Sequence, residues 1–155
     1  MKNSFEILRL QGSHIEQFIE LVELFNEVFE EPSKVASEKQ LKKILNRPDF
    51  HVIVALKENK IVGGLTAYEL ERYYSDKCEL YIYDIAVKIA LHNQGIGKEL
   101  IGYLKDYSWE NGIEAILVEA HSEDEQAVKF YESTFGKSEK VDHFIFEIKT
   151  THPKV

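Results

Sequence analysis

The chain has 155 residues, 44% apolar and 30% charged, and a formal net charge of −8. Its length suits one compact domain that buries a core without staples, and its composition is that of a globular rather than a disordered protein. The acidic surface makes nucleic acid a poor partner, no apolar run is long enough to span a bilayer, and the one cysteine, Cys78, excludes an internal disulfide and fits a reducing compartment.

Residues 1–4 show no secretory signal, so the expected location is the cytoplasm. Residues 5–10 alternate apolar and polar, which predicts a short strand. Gly12 and Ser13 break it, and Ser13 with Glu16 forms a capping box that starts a helix. Ile15, Phe18, Ile19, Val22, Phe25, Val28 and Phe29 recur at helical spacing, and Pro32 stops the run. A second box, Ser37 with Gln40, starts a shorter helix carrying Leu41, Ile44 and Leu45, closed by Pro48.

Residues 51–56 and 61–68 read as two strands joined by a hairpin turn at Glu58-Asn59-Lys60. The pair Gly63-Gly64 predicts a bulge or a close approach by another backbone. Residues 69–77 form a charged loop, and 78–87 the strongest strand pattern in the chain. A connection at 88–93 leads into a helix from about Gly95 to Glu110, stopped by Asn111-Gly112. A buried strand at 115–118 follows. Ser122 with Glu125 forms a third capping box, for a helix ended by Gly136, and residues 141–148 read as a last strand. The predicted order is β-α-α-β-β-β-α-β-α-β, one domain over 1–149 with a frayed tail at 150–155. It is a mixed α/β (α+β) fold with a central, mostly antiparallel mixed sheet flanked by helices.

The informative unit is the strand ending Tyr83-Asp84-Ile85-Ala86-Val87, followed by His92-Asn93-Gln94-Gly95-Ile96-Gly97-Lys98. Two glycines at i and i+2 permit a tight turn with no Cβ in the way. The helix that starts there offers unpaired N–H groups and the positive end of its dipole, an anion site to which Lys98 adds charge. A P-loop is excluded, because Glu99 follows the lysine. A dinucleotide fingerprint is excluded too, because Leu100 stands where a third glycine belongs. From the glycines alone, a plain helix start remains open beside a phosphate site.

The segment resembles the acetyl-CoA motif of the GNAT superfamily: Arg or Gln, two residues, Gly, one residue, Gly or Ala, after a strand ending in Val. The resemblance covers residues 5–148 through its element order as well, and implies a GNAT-like fold and an acetyltransferase using acetyl-CoA. It implies pyrophosphate on the backbone of His92, Asn93, Gln94, Gly95, Ile96, Gly97 and Lys98, and pantetheine along Ile85, Ala86 and Val87. His92 departs from the usual Arg or Gln. A second motif, Asn, Ala three places on and Tyr four further, is matched by Asp124, Ala127 and Tyr131 before Phe135-Gly136, with Asp124 as a second departure. The resemblance makes Asp124 and Tyr131 cofactor contacts and Tyr131 the general acid that protonates the leaving thiolate.

Residues 80–87, Gln94-Gly95-Ile96, Val118-Glu119-Ala120, Ala127-Val128 and Val141-Asp142-His143-Phe144 look like the aminoglycoside 3-N-acetyltransferase branch, with antibiotic resistance as the implied consequence. His121 and Gln126 depart from that branch. An amine must be neutral to attack a thioester, and a carboxylate beside the carbonyl can hold the ammonium and take its proton. Asp84 is the catalytic candidate, the alternative being a structural carboxylate paired with a lysine. Tyr83, Asp84, Glu79, Glu119, Glu123 and Asp124 are the candidate contacts for a cationic small-molecule amine, with Glu69, Glu71, Asp76 and Glu125 as further acids of the same loops. Other polyamines, a protein amine, or a CoA-binding module without turnover are the alternatives. His14, His51, His92, His121, His143 and His152 show no metal spacing, so no metal is expected. By analogy with the superfamily, a homodimer is the oligomer expected.

Overall fold

A computed structural model describes residues 5–30 and 35–148. The chain divides into two compact units, Met1–Ala120 and His121–Val155. The first holds β1 (Glu6–Arg9), α1 (Ile15–Val28), α2 (Glu38–Leu45), β2 (Phe50–Lys57), β3 (Lys60–Glu71), β4 (Cys78–Val87), a 3-10 turn (Ile89–Leu91), α3 (Ile96–Glu110) and β5 (Ala115–Val118). The second holds α4 (Glu125–Phe135).

The five strands form one sheet in the order β1-β2-β3-β4-β5, antiparallel except for the parallel β4–β5 pair. The β2–β3 hairpin closes through Glu58 and Asn59, with φ of 51° and 61°. Positive φ at both central residues is the signature of the type I′ turn, whose twist matches the strands it joins. Alternate residues of each strand face opposite sides. On one side Phe50, Val52, Val54 and Ala86 bury with Phe18, Leu21, Leu24 and Phe25 of α1 and Leu41 and Leu45 of α2. On the other lie His51, Ile53, Leu65, Leu80 and Ile82, with α3 carrying Leu100, Ile101 and Leu104 inward. Gly64 lets α1 come close: a Cβ there would sit 2.5 Å from Leu21 Cδ1 and 2.9 Å from the Ile53 carbonyl oxygen. The register also shifts between Ala55 and Leu56, opposite Val62, so both consequences foreseen for the glycine pair occur together.

Several expectations need correction. Ser13 does not cap α1; the N-cap is His14, whose Nδ1 instead accepts from the Gln11 N–H (2.9 Å). That helix ends at Val28, and Glu30 turns left-handed at φ 54° before Pro32, which lies outside the described residues. Ser37 caps α2 as foreseen, its Oγ accepting from Gln40 N–H at 3.3 Å. Helix α4 is capped by Asp124 rather than Ser122: Asp124 Oδ1 accepts from Ala127 N–H at 3.0 Å. Strand β3 runs on to Glu71, so Glu69 belongs to the sheet and not to a loop. Residues 141–148 form no strand. Their alternating pattern is genuine, but a strand exists only through a ladder to a neighbour, and the second unit contains no other strand among its described residues. The expected tail at 150–155 lies outside the described residues.

Candidate active site

The site is built on an irregularity in β4. Thr66 of β3 pairs with Asp84, but Ala67 pairs with Ile82, so Tyr83 is an extra residue, a β-bulge. In a regular strand Tyr81 and Asp84, three apart, would face opposite sides. The bulge removes that difference. Residues directly opposite in an antiparallel pair share a face, so Asp84 shares the face of Thr66, and Tyr81 the face of Tyr68. Thr66 and Tyr68 are two apart on one strand and therefore share a face as well. Asp84, Tyr68 and Tyr81 thus stand together on the α1/α2 side of the sheet. The Tyr83 ring joins them, its centroid 6.1 Å from that of Tyr68 and 6.5 Å from that of Tyr81.

Asp84 is half-buried, and among the described residues its carboxylate has neither hydrogen-bond donor nor cation as partner. Burial alone raises its pKa above the usual carboxylate range. The alternative of a carboxylate paired with a lysine therefore does not describe this side chain. A desolvated, unpaired carboxylate binds a cation strongly and takes a proton at higher pH than a solvated one.

The other candidate acids divide by environment. Glu119, two residues beyond Leu117, which pairs with Tyr81, reaches back to accept a hydrogen bond from the Tyr81 phenol. It is thereby drawn toward the Asp84 face. Glu79 is held by Arg72, which also binds Glu114. That clip ties the start of β4 to the start of β5 and occupies Glu79. Glu69 turns to the opposite side of the sheet: its Oε1 accepts from Tyr107 (2.9 Å) and lies 2.7 Å from His51 Nε2. Glu123, Asp124 and Tyr131 belong to the second unit, where Asp124 caps α4 and Tyr131 lies on that helix, its ring 6.1 Å from that of Phe135.

A second feature adjoins Asp84 along the chain. The β4–β5 ladder stops at Ile82 and Val118. Tyr83, Asp84, Ile85, Ala86 and Val87 therefore run beyond their β5 partner and, among the described residues, keep one backbone edge open. The chain then passes through the 3-10 turn, Asn93 at φ 61° and Gly95 at φ 84°, into α3. Alternating handedness of this kind turns backbone N–H groups toward one point, and the α3 N-terminus adds its own. Space around Gly95 is open to a Cβ's reach, and Lys98 is exposed in the first turn. The His92 ring donates from Nε2 to the carbonyl of Val87 (2.8 Å), which braces the loop against the end of the strand. The bond also fixes the tautomer, since a carbonyl only accepts. An extended amide chain fits the open edge, and a pyrophosphate fits the turn.

Tyr68, the bulge at Tyr83, and the set of His51, Glu69, Tyr107 and Arg9 were not identified by motif. The bulge does leave a trace. The buried alternation Leu80, Ile82 resumes one residue late at Ile85 and Val87, a phase slip that an inserted residue produces. Nothing in the sequence marks Tyr68, because a tyrosine in an apolar strand reads as core.

A family profile described as "Acetyltransferase (GNAT) family" matches residues 18–136. No curated protein sequence matches significantly. Among solved structures, an aminoglycoside acetyltransferase, meta-AAC0020, from an uncultured soil metagenomic sample and in complex with sisomicin, is 44% identical. That match covers 95% of this chain and 98% of the other with a TM-score of 0.92. The same protein in complex with trehalose superposes equally well, at 44% identity. A second soil metagenomic aminoglycoside acetyltransferase, HMB0005, is 32% identical over 94% of this chain and 99% of the other, with a TM-score of 0.89. The open strand edge, the glycine turn and these relatives agree: the chain belongs to the GNAT family and is an acetyltransferase that draws its acetyl group from acetyl-CoA.

Proposed function

We propose that this enzyme acetylates an amine of an aminoglycoside, at the 3-amino position, by direct transfer. The observation that carries the reading is the unpaired, desolvated Asp84, turned by the β4 bulge onto one face with three tyrosines, of which Tyr81 bonds Glu119. A relative 44% identical is described in complex with sisomicin, a polycationic aminoglycoside. Net charge −8 favours such a ligand at long range.

Acetyl-CoA supplies the acetyl group as a thioester. The backbone of Ile85, Ala86 and Val87 pairs with the amide arm, and residues 92–98 hold the pyrophosphate. Asp84 binds the acceptor ammonium and takes a proton from it, leaving a lone pair on nitrogen. That nitrogen forms the new C–N bond to the acetyl carbon as the C–S bond breaks. A backbone N–H of residues 85–87 steadies the carbonyl oxygen while charge develops there. The nitrogen's second proton passes to solvent as the amide forms, Tyr131 gives its phenolic proton to the departing sulfur, and Asp84 then releases its proton to solvent while Tyr131 regains one from it. Tyr83, 66% exposed, and Glu119 flank the acceptor, and Glu123 and Asp124 are proposed as further acceptor contacts.

Thiol release from acetyl-CoA over a panel of amines tests it. The expected result is turnover with sisomicin-like acceptors well above that with spermidine or a peptide amine. Turnover with only the latter two would replace the acceptor, and release with no amine despite CoA binding would leave a binding module.

A further inference from the structure

Tyr68 takes no part in the steps above, yet its surroundings are those of a positioned group. Its ring lies 4.8 Å from that of Phe50 and 6.1 Å from that of Tyr83, centroid to centroid. The guanidinium carbon of Arg47 stands 5.9 Å from the ring centre. Arg47 is itself fixed by two bonds to Asp49, of 2.9 and 2.7 Å. Neighbours from β2, β4 and the α2–β2 connection thus hold the plane of the ring. The hydroxyl, by contrast, makes no hydrogen bond to any described residue. Burial raises the phenol's pKa, so it stays an O–H donor at neutral pH. Asp84 is a diagonal neighbour on the same face, within reach of a tyrosine ring, and its charge is felt at the Tyr68 hydroxyl.

A carboxylate recognises an ammonium and little else about the molecule that carries it. A phenol beside it both donates and accepts, which suits the hydroxyl that adjoins an amine on an aminocyclitol ring. We propose that Tyr68 is a specificity-determining residue, its hydroxyl bonding a hydroxyl next to the amine held by Asp84, so that the enzyme selects polyhydroxylated amines over plain alkyl amines. The inference rests on the acceptor reading of Asp84 given above. Its logic is that a polar group built to meet a substrate hydroxyl is left unpaired by an analogue lacking it.

Tyr68→Phe removes only the oxygen and keeps the ring and its neighbours. Steady-state kinetics with sisomicin and with a linear diamine, and sisomicin binding by titration calorimetry, are measured for wild type and variant. The expected result is that kcat/KM for sisomicin falls about three- to tenfold, the size of one net hydrogen bond. The diamine's kcat/KM and the KM for acetyl-CoA stay unchanged. If wild type does not turn over the diamine, the sisomicin loss against an unchanged acetyl-CoA KM decides. An equal loss with both acceptors, or a raised acetyl-CoA KM, would mean a merely structural tyrosine and overturn the proposal, as would no loss with sisomicin. Should wild type bind sisomicin but acetylate no amine, the catalytic reading fails, while weaker binding by Tyr68→Phe would still support the contact. Absence of sisomicin binding by wild type would overturn both.

Discussion

Asp84→Asn separates a working carboxylate from a structural one, because the two roles move rate and stability in different directions. Asparagine preserves the volume and one carbonyl oxygen of the side chain, and removes the charge and the ability to take a proton. If Asp84 is the base, kcat/KM falls about 100- to 10,000-fold, the range for a positioned proton acceptor. The stability effect follows from its environment. Burial without a partner raises the folded-state pKa above the unfolded value of about 3.9. The proton is therefore bound more tightly in the folded chain. Relative to the unfolded chain, Asp84 supports folding below that value, and the support is lost as pH rises through the folded-state pKa. At neutral pH the ionised side chain works against folding, so Asp84→Asn melts higher than wild type at pH 7, and the two converge in acid. Activity assays and thermal melts across pH 4 to 8 give both readings. A variant that melts lower at pH 7 and keeps wild-type turnover would refute the reasoning, since that pattern belongs to a carboxylate satisfied by a partner.

Tyr131→Phe is expected to lower kcat about 100-fold or more while leaving the KM for acetyl-CoA within about twofold, measured by thiol release; a change confined to KM would remove Tyr131 as the acid. Gly64→Ala places a Cβ 2.9 Å from the Ile53 carbonyl and 2.5 Å from Leu21 Cδ1. Overpacking of this kind costs about 1–3 kcal/mol, or roughly 2–4 °C per kcal/mol in a chain of this size, readable by calorimetry. His51 is 1% exposed, and burial, with Arg9 in support, lowers its pKa against the opposing pull of Glu69. Its contribution to stability is complete above the unfolded value of about 6.5 and is lost as pH falls through the folded-state pKa. Urea midpoints should therefore drop between pH 7.5 and pH 5.5, and His51→Gln should flatten that dependence.

Much of the fold was legible because local chemistry and tertiary demand agree. Glu58-Asn59 turns where the hairpin needs two positive φ values, Ser37 caps α2, and α1 buries Phe18 and Phe25 of the Ile15-to-Phe29 stripe, though Leu21 and Leu24 outside the stripe are buried with them and Phe29 stays exposed. Caps were misplaced where two candidates compete within a few residues. Asp124 displaces Ser122 because an aspartate at that place bonds the Ala127 N–H directly. The pattern at 141–148 shows the opposite limit: alternation states which residues can line a sheet, not whether a neighbouring strand is present. For the site, the motif strand and the glycine turn carried Asp84 and the 92–98 segment, since backbone geometry there demands particular residues. The grouping of Tyr68, Tyr81 and Asp84 depends on register across two strands and one inserted residue. Only the phase slip after Ile82 hints at it.

Product analysis tests the central claim most directly. Purified protein is incubated with acetyl-CoA and sisomicin, and the acceptor is analysed by mass spectrometry, with the modified nitrogen assigned by NMR. The expected product is sisomicin carrying one acetyl group on its 3-amino nitrogen, absent with Asp84→Asn over the same interval. Unmodified sisomicin after full conversion of a control acetyltransferase, or acetylation undiminished in Asp84→Asn, would contradict the account.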